Sequence, residues 1–126
     1  MHRTRVFGFF IDVPLDAADA AVRFWSGVLG TSTRSEPGDP FTGLVGALPG
    51  DIALEVQAVD DAPRYHLDIE TDDVPAERTR LVGLGAEVVA DNGSWHVLRA
   101  PGGHLLCVVP VQSDHAVFAE QARSWP

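Results

Sequence analysis

The chain has 126 residues, 45% of them hydrophobic, and nine Lys+Arg against eighteen Asp+Glu give a formal charge of −9. That length suits one domain with its own core. The acidity speaks against a nucleic-acid partner, and no stretch approaches the roughly 20 apolar residues of a membrane helix.

Residues 6–13 read as a strand, with Phe9, Ile11 and Val13 alternating against Gly8, Phe10 and Asp12. A helix is expected over about residues 17–29, where Ala18, Ala21, Val22, Trp25, Val28 and Leu29 form one apolar stripe and Gly30 ends it. Three strands follow near residues 32–35, 41–48 and 52–59, separated by turns rich in Pro, Gly and Asp. The same order then begins again. A strand over 65–70 leads to a helix with Pro75 in its first turn and Gly85 at its end. Three more strands fall near 86–90, 95–99 and 104–109, with a hairpin at Asp91-Asn92-Gly93. A short helix closes the chain at about 115–123.

Strand–helix–strand–strand–strand therefore occurs twice, at about 6–59 and 64–110, within one domain spanning 1–126. This is an α+β pattern in which one helix covers one face of each sheet. The uncovered faces need a ligand, each other or a second subunit. Cys107 is the only cysteine, so no intrachain disulfide forms, and with no signal-peptide pattern the cytoplasm is the expected compartment. The negative field suits a cationic ligand, although solubility alone accounts for it.

Four segments carry a family likeness. Phe24-Trp25-Ser26-Gly27-Val28-Leu29-Gly30, the strand Tyr65-His66-Leu67-Asp68-Ile69-Glu70-Thr71-Asp72-Asp73-Val74, Leu84-Gly85-Ala86, and Ala100-Pro101-Gly102-Gly103-His104-Leu105-Leu106-Cys107 run in order along nearly the whole chain. Together they resemble the glyoxalase/bleomycin-resistance/extradiol dioxygenase (vicinal-oxygen-chelate) superfamily, in its glyoxalase-like group. The resemblance implies two βαβββ modules whose eight strands curl into an open cup around a central pocket, in a homodimer. It also implies that metal-dependent members draw their ligands from the first and last strands of each module.

The repeat locates those corners. Setting Asp12 against Asp68 pairs Phe10 with His66, and setting Leu54 against Leu106 pairs Glu55 with Cys107. Alternation turns Phe10, Asp12, Glu55, Gln57, His66, Asp68, Glu70 and Cys107 away from the helices. Phenylalanine binds no metal, whereas imidazole, carboxylate and thiolate do. Glu55 and His66 are the candidate catalytic or metal-binding pair, with nickel, zinc, iron or manganese as the ion if there is one. His66 also reads as a pocket-lining or structural histidine hydrogen-bonded to Asp68 or Glu70, and Cys107 as a small buried apolar residue. Phe10, Asp12, Gln57, Asp68, Trp95 and Cys107 are the candidate ligand-binding residues. Phe7, Phe41, Phe118 and Trp125 are further aromatics for a cup or its mouth. His96 and His104 fall on the other parity, at surface or edge positions, and His2 and His115 carry no signal.

Two functions are weighed. One is a metal-independent protein that encloses a partly aromatic, cationic small molecule, as drug-sequestering members of the superfamily do. The other is a lyase, isomerase or dioxygenase using Glu55 and His66, with or without a divalent metal. A dimerising accessory domain with a vestigial pocket is the plainest alternative.

Overall fold

The computed structural model describes residues 1–126 and contains nine strands and three α-helices. In chain order these are β1 (His2–Pro14), α1 (Ala18–Leu29), β2 (Thr33–Arg34), β3 (Phe41–Leu44), β4 (Ala53–Val59), β5 (Arg64–Thr71), α2 (Val74–Gly83), β6 (Glu87–Asp91), β7 (His96–Arg99), β8 (Leu105–Pro110), α3 (His115–Gln121) and β9 (Arg123–Trp125). The chain divides into two compact units, residues 8–66 and residues 1–7 with 67–126. The divisions fall inside β1 and β5.

In the first unit the strand order is β2-β3-β4-β1, with β4 parallel to β1 and antiparallel to β3. A parallel pair needs a crossover, and α1 lies in that connection. Ile11, Val13, Leu44 and Val56 form the core, with Ala18, Ala21, Val22 and Trp25 of α1 packed on it. The period of two in β1 and of 3.6 in α1 thus meet on one face of the sheet. Phe9 departs from the expected helix-facing set: it lies outside this cluster and is 46% exposed. Gly30 adopts φ 66° and donates its N–H to the Ser26 carbonyl, ending α1 as glycine can without strain.

The second unit repeats the scheme as β5-β8-β7-β6, again with a parallel first pair. Asp73 caps α2 by accepting the Ala76 N–H at 3.0 Å, and Pro75 sits in the first turn, where its missing N–H costs nothing. Val74, Leu98 and Val108 are the core, lined by Leu81, Ala86 and Leu106.

Two features differ from the sequence-based expectation. The final helix stops at Gln121, and Arg123–Trp125 then forms a ninth strand that pairs antiparallel with His2–Thr4. That pairing extends β1 four residues before its expected start at 6. A three-residue strand shows too little alternation to be recognised from sequence. The aromatics expected at a mouth are also used here structurally. Phe118 is buried, with the Arg3 guanidinium 5.2 Å from its ring centre. Trp125 donates from Nε1 to the Thr4 hydroxyl at 2.8 Å, and the Arg80 guanidinium stacks 3.7 Å over it.

Candidate functional site

The first unit's sheet leaves one face uncovered by α1, and the ladder registers fix which side chains share it. One row runs Arg34, Gly43, Glu55, Phe10, and a second runs Phe41, Gln57, Asp12. Residues directly opposed across strands project to the same face, so Phe10, Asp12, Glu55 and Gln57 emerge together as expected.

Asp12 is almost fully buried, and its Oδ2 is the meeting point of two donors. His66 Nδ1 lies 2.7 Å from it, and Arg64 Nε donates to it at 3.0 Å. As a carboxylate Asp12 only accepts, so Nδ1 carries the proton in this bond. Nε2 is then the atom through which the neutral ring takes a proton or a metal. The other carboxylate oxygen, Oδ1, is buried without a hydrogen bond. Burial works against the charge of Arg64, but its bonds to Asp12 and Asp61 prevail and hold its pKa above the ordinary arginine value.

The Phe10 ring stacks on the His66 imidazole, centroids 4.7 Å apart and planes 7° from parallel. Phe41 meets Phe10 edge-on at 5.7 Å. An open cavity of about 370 Å³ adjoins this group, lined among others by Arg34, Glu36, Asp39, Phe41, Gly43 and Glu55.

The pairing expected for His66 is corrected as regards Glu70, and it gains a partner that the sequence does not name. Its partner in this unit is Asp12 on another strand, whereas Glu70 binds Arg5 Nη1 at 2.8 Å together with Ser113 and Gln112. Asp68 and Cys107 belong to the second unit and face each other directly across β5 and β8, with Cys107 buried. His66 precedes Asp68 by two residues on β5, so both leave the strand on one side. His66, Asp68 and Cys107 each offer a ligand atom of the kind a metal takes. Trp95 is 39% exposed in the turn before β7.

The placement of His96 is corrected, and His2, which carries no signal in the sequence, is buried as well. His96 is buried rather than at a surface or edge, with Nδ1 3.0 Å from Arg78 Nη1. His2 is buried against Glu77, with Nε2 2.8 Å from Oε1. Arg64, Arg34 and Gly43 were not singled out in the sequence. Arg64 was detectable, because it shares the parity of His66 two residues along β5. Arg34 and Gly43 become site residues only through the register of β2 on β3.

Residues 9–109 match the model of the glyoxalase-like domain family. The chain belongs to that family, and so to the vicinal-oxygen-chelate superfamily. Solved structures agree in fold. Methylmalonyl-CoA epimerase of Streptomyces coelicolor is similar at a TM-score of 0.56 and 17% identity, over 88% of this chain and 99% of its own. The Mn(II)-bound glyoxalase of Novosphingobium aromaticivorans gives 0.54 and 16%, over 89% and 44%. A chain described as NAD-dependent benzaldehyde dehydrogenase from Legionella pneumophila gives 0.59 and 10%, over 82% and 99%. No curated protein matches the sequence. Within this glyoxalase-like domain Phe10 puts a hydrocarbon ring, which binds no metal, where the repeat sets the first corner, and that ring lies on His66.

Proposed function

We propose that this glyoxalase-like domain binds a small, partly aromatic and cationic molecule without a metal, as a sequestering protein does. The observation that carries the reading is the first unit's cavity. Three carboxylates, Glu36, Asp39 and Glu55, line it against one guanidinium, Arg34, and Phe41 supplies a flat wall. A cavity of about 370 Å³ is of the size that small ligands occupy. Beside it Phe10 and Asp12 are buried, and His66, stacked on Phe10, and Gln57 are half-buried. The protein works in the cytoplasm as a homodimer, a state supported by exposed Phe24, Tyr65 and Leu84. Light scattering giving a monomer at micromolar concentration would count against the dimer.

A thermal-shift titration with phenethylamine tests the binding reading. Saturation to about one hundred times the dissociation constant stabilises the protein by about 2.7 kcal/mol. Glu55→Gln and Phe41→Ala should each reduce that shift. An unchanged response in both variants would remove the cavity as the site.

The Asp12–His66 bond favours a second reading, an enzyme in which His66 and Glu55 move protons, with or without an ion. Elemental analysis of untagged protein purified without chelator separates the two. Stoichiometric nickel, zinc, iron or manganese that disappears in His66→Ala would replace the first reading with the second.

A further inference from the structure

The row of side chains across β2, β3, β4 and β1 has a gap in it. Arg34 is opposite Gly43, Gly43 is opposite Glu55, and Glu55 is opposite Phe10. Directly opposed Cα atoms are 4.5–5.5 Å apart, so the strand positions of Arg34 and Glu55 are about 10 Å apart with no side chain between them. Gly43 does not have the positive φ that only glycine adopts freely. A Cβ there would meet nothing closer than the Arg34 carbonyl oxygen at 3.7 Å, an ordinary contact. Neither the backbone nor the packing of β3 requires glycine. What Gly43 supplies is space between a cation and an anion that line one cavity.

We infer that this slot selects a zwitterion, its cationic nitrogen on Glu55 and its carboxylate on Arg34. The inference rests on the reading of this cavity as the ligand site and names the ligand class more closely. A simple cation would be drawn to Glu55 but leave Arg34 without a counter-ion, and a simple anion would pair with Arg34 but be repelled by Glu55. The Arg34 side chain is exposed and makes no hydrogen bond or ion pair, so its guanidinium is available to a bidentate carboxylate. Phe41 lies on the same face one row away, where an aromatic part of the ligand stacks. Complementary charges at both ends fix the ligand's direction as well as its identity.

Three probes with one phenyl ring separate the possibilities: phenylalanine, phenethylamine and 3-phenylpropionate, titrated into the full chain at pH 7 by calorimetry. Phenylalanine should bind about tenfold more tightly than either singly charged analogue, the equivalent of one charge-assisted contact. Arg34→Gln should abolish the preference over phenethylamine, and Glu55→Gln the preference over 3-phenylpropionate. Gly43→Val should remove phenylalanine binding with the melting temperature retained, and Gly43→Ala should weaken it if the valine variant does not fold. Phenethylamine binding as tightly as phenylalanine, unaffected by Arg34→Gln, overturns the zwitterion slot and leaves the cation-binding reading standing. No binding of any probe overturns both.

Discussion

His66 Nδ1 lies 2.7 Å from the Oδ2 of Asp12, fifty-four residues earlier in the chain, and the carboxylate it meets is almost completely buried. Such a bond fixes both the tautomer and the plane of the ring. Removing the acceptor leaves the imidazole and Arg64 without it, and the loss exceeds that of a surface pair because Asp12 is screened from water. Asp12→Ala should lower the free energy of unfolding by about 3 kcal/mol, measured with urea at pH 7. A double-mutant cycle with His66→Ala should show coupling between the two side chains. Additive losses would mean that the bond contributes nothing of its own.

The same pair shows where sequence reading reached its limit. Alternation placed Phe10 and Asp12 on the face opposite Ile11 and Val13, and Glu55 and Gln57 opposite Leu54 and Val56, and the core confirms both. It also suggested Glu70 as a partner for His66, and that carboxylate is instead held by Arg5, Ser113 and Gln112. Residues on neighbouring strands come within about 4.5–5.5 Å of each other, which brings Asp12 within reach of His66. Parity names the face but not the neighbour across it, which depends on register. The duplicated order of elements was readable because each module repeats a strand and an amphipathic helix. The Arg123–Trp125 strand was not, because its pairing with His2–Thr4 is decided by the opposite end of the chain.

Gly8 and Gly43 should respond to the same substitution in opposite ways. Alanine in a strand is favoured over glycine by roughly 0.5–1 kcal/mol on conformational entropy alone. At Gly8 a Cβ would lie 2.8 Å from the Ala53 carbonyl oxygen and 2.9 Å from its Cβ, a clash with backbone that β1 and β4 can relieve only by moving apart. Gly8→Ala should therefore destabilise by about 1–3 kcal/mol. Gly43→Ala, with its nearest contact at 3.7 Å, should leave the melting temperature unchanged or slightly raised. Equal losses at both positions would contradict the close approach of β1 to β4.

Trp125 holds the end of the chain through two contacts, the hydrogen bond to Thr4 and the stack under Arg80. Arg80 is itself fixed, Nε and Nη2 donating to the two oxygens of Glu77 at 2.7 and 2.9 Å. Trp125→Ala should cost about 2 kcal/mol. Its signature is local: hydrogen exchange should accelerate at the His2–Thr4 amides, which pair with β9, more than at β8. Uniform acceleration throughout the second unit would show β9 to be part of the global cooperative fold instead.

Glu70 should make the protein acid-labile. Burial by itself would raise the pKa of its carboxyl. The Ser113 hydroxyl, the Ser113 and Gln112 N–H groups and Arg5 more than offset that and hold it below the ordinary glutamate range. A folded-state pKa lowered in this way means that, near and below the ordinary value of about 4.3, the unfolded chain takes up a proton that the folded chain does not. The stabilisation is fully present above that value and is lost as the pH falls through the folded pKa. Glu77 acts in the same direction: burial raises its carboxyl, and Arg80 and His2 together lower it further. Glu70→Gln should be about 3 kcal/mol less stable than the parent at pH 7, because Arg5, itself buried, loses its carboxylate. That difference should narrow as the pH is taken from 6 to 3 in a series of urea titrations. A gap that stays constant across the series would mean that Glu70 stabilises by its shape and hydrogen bonds alone, and that its charge plays no part.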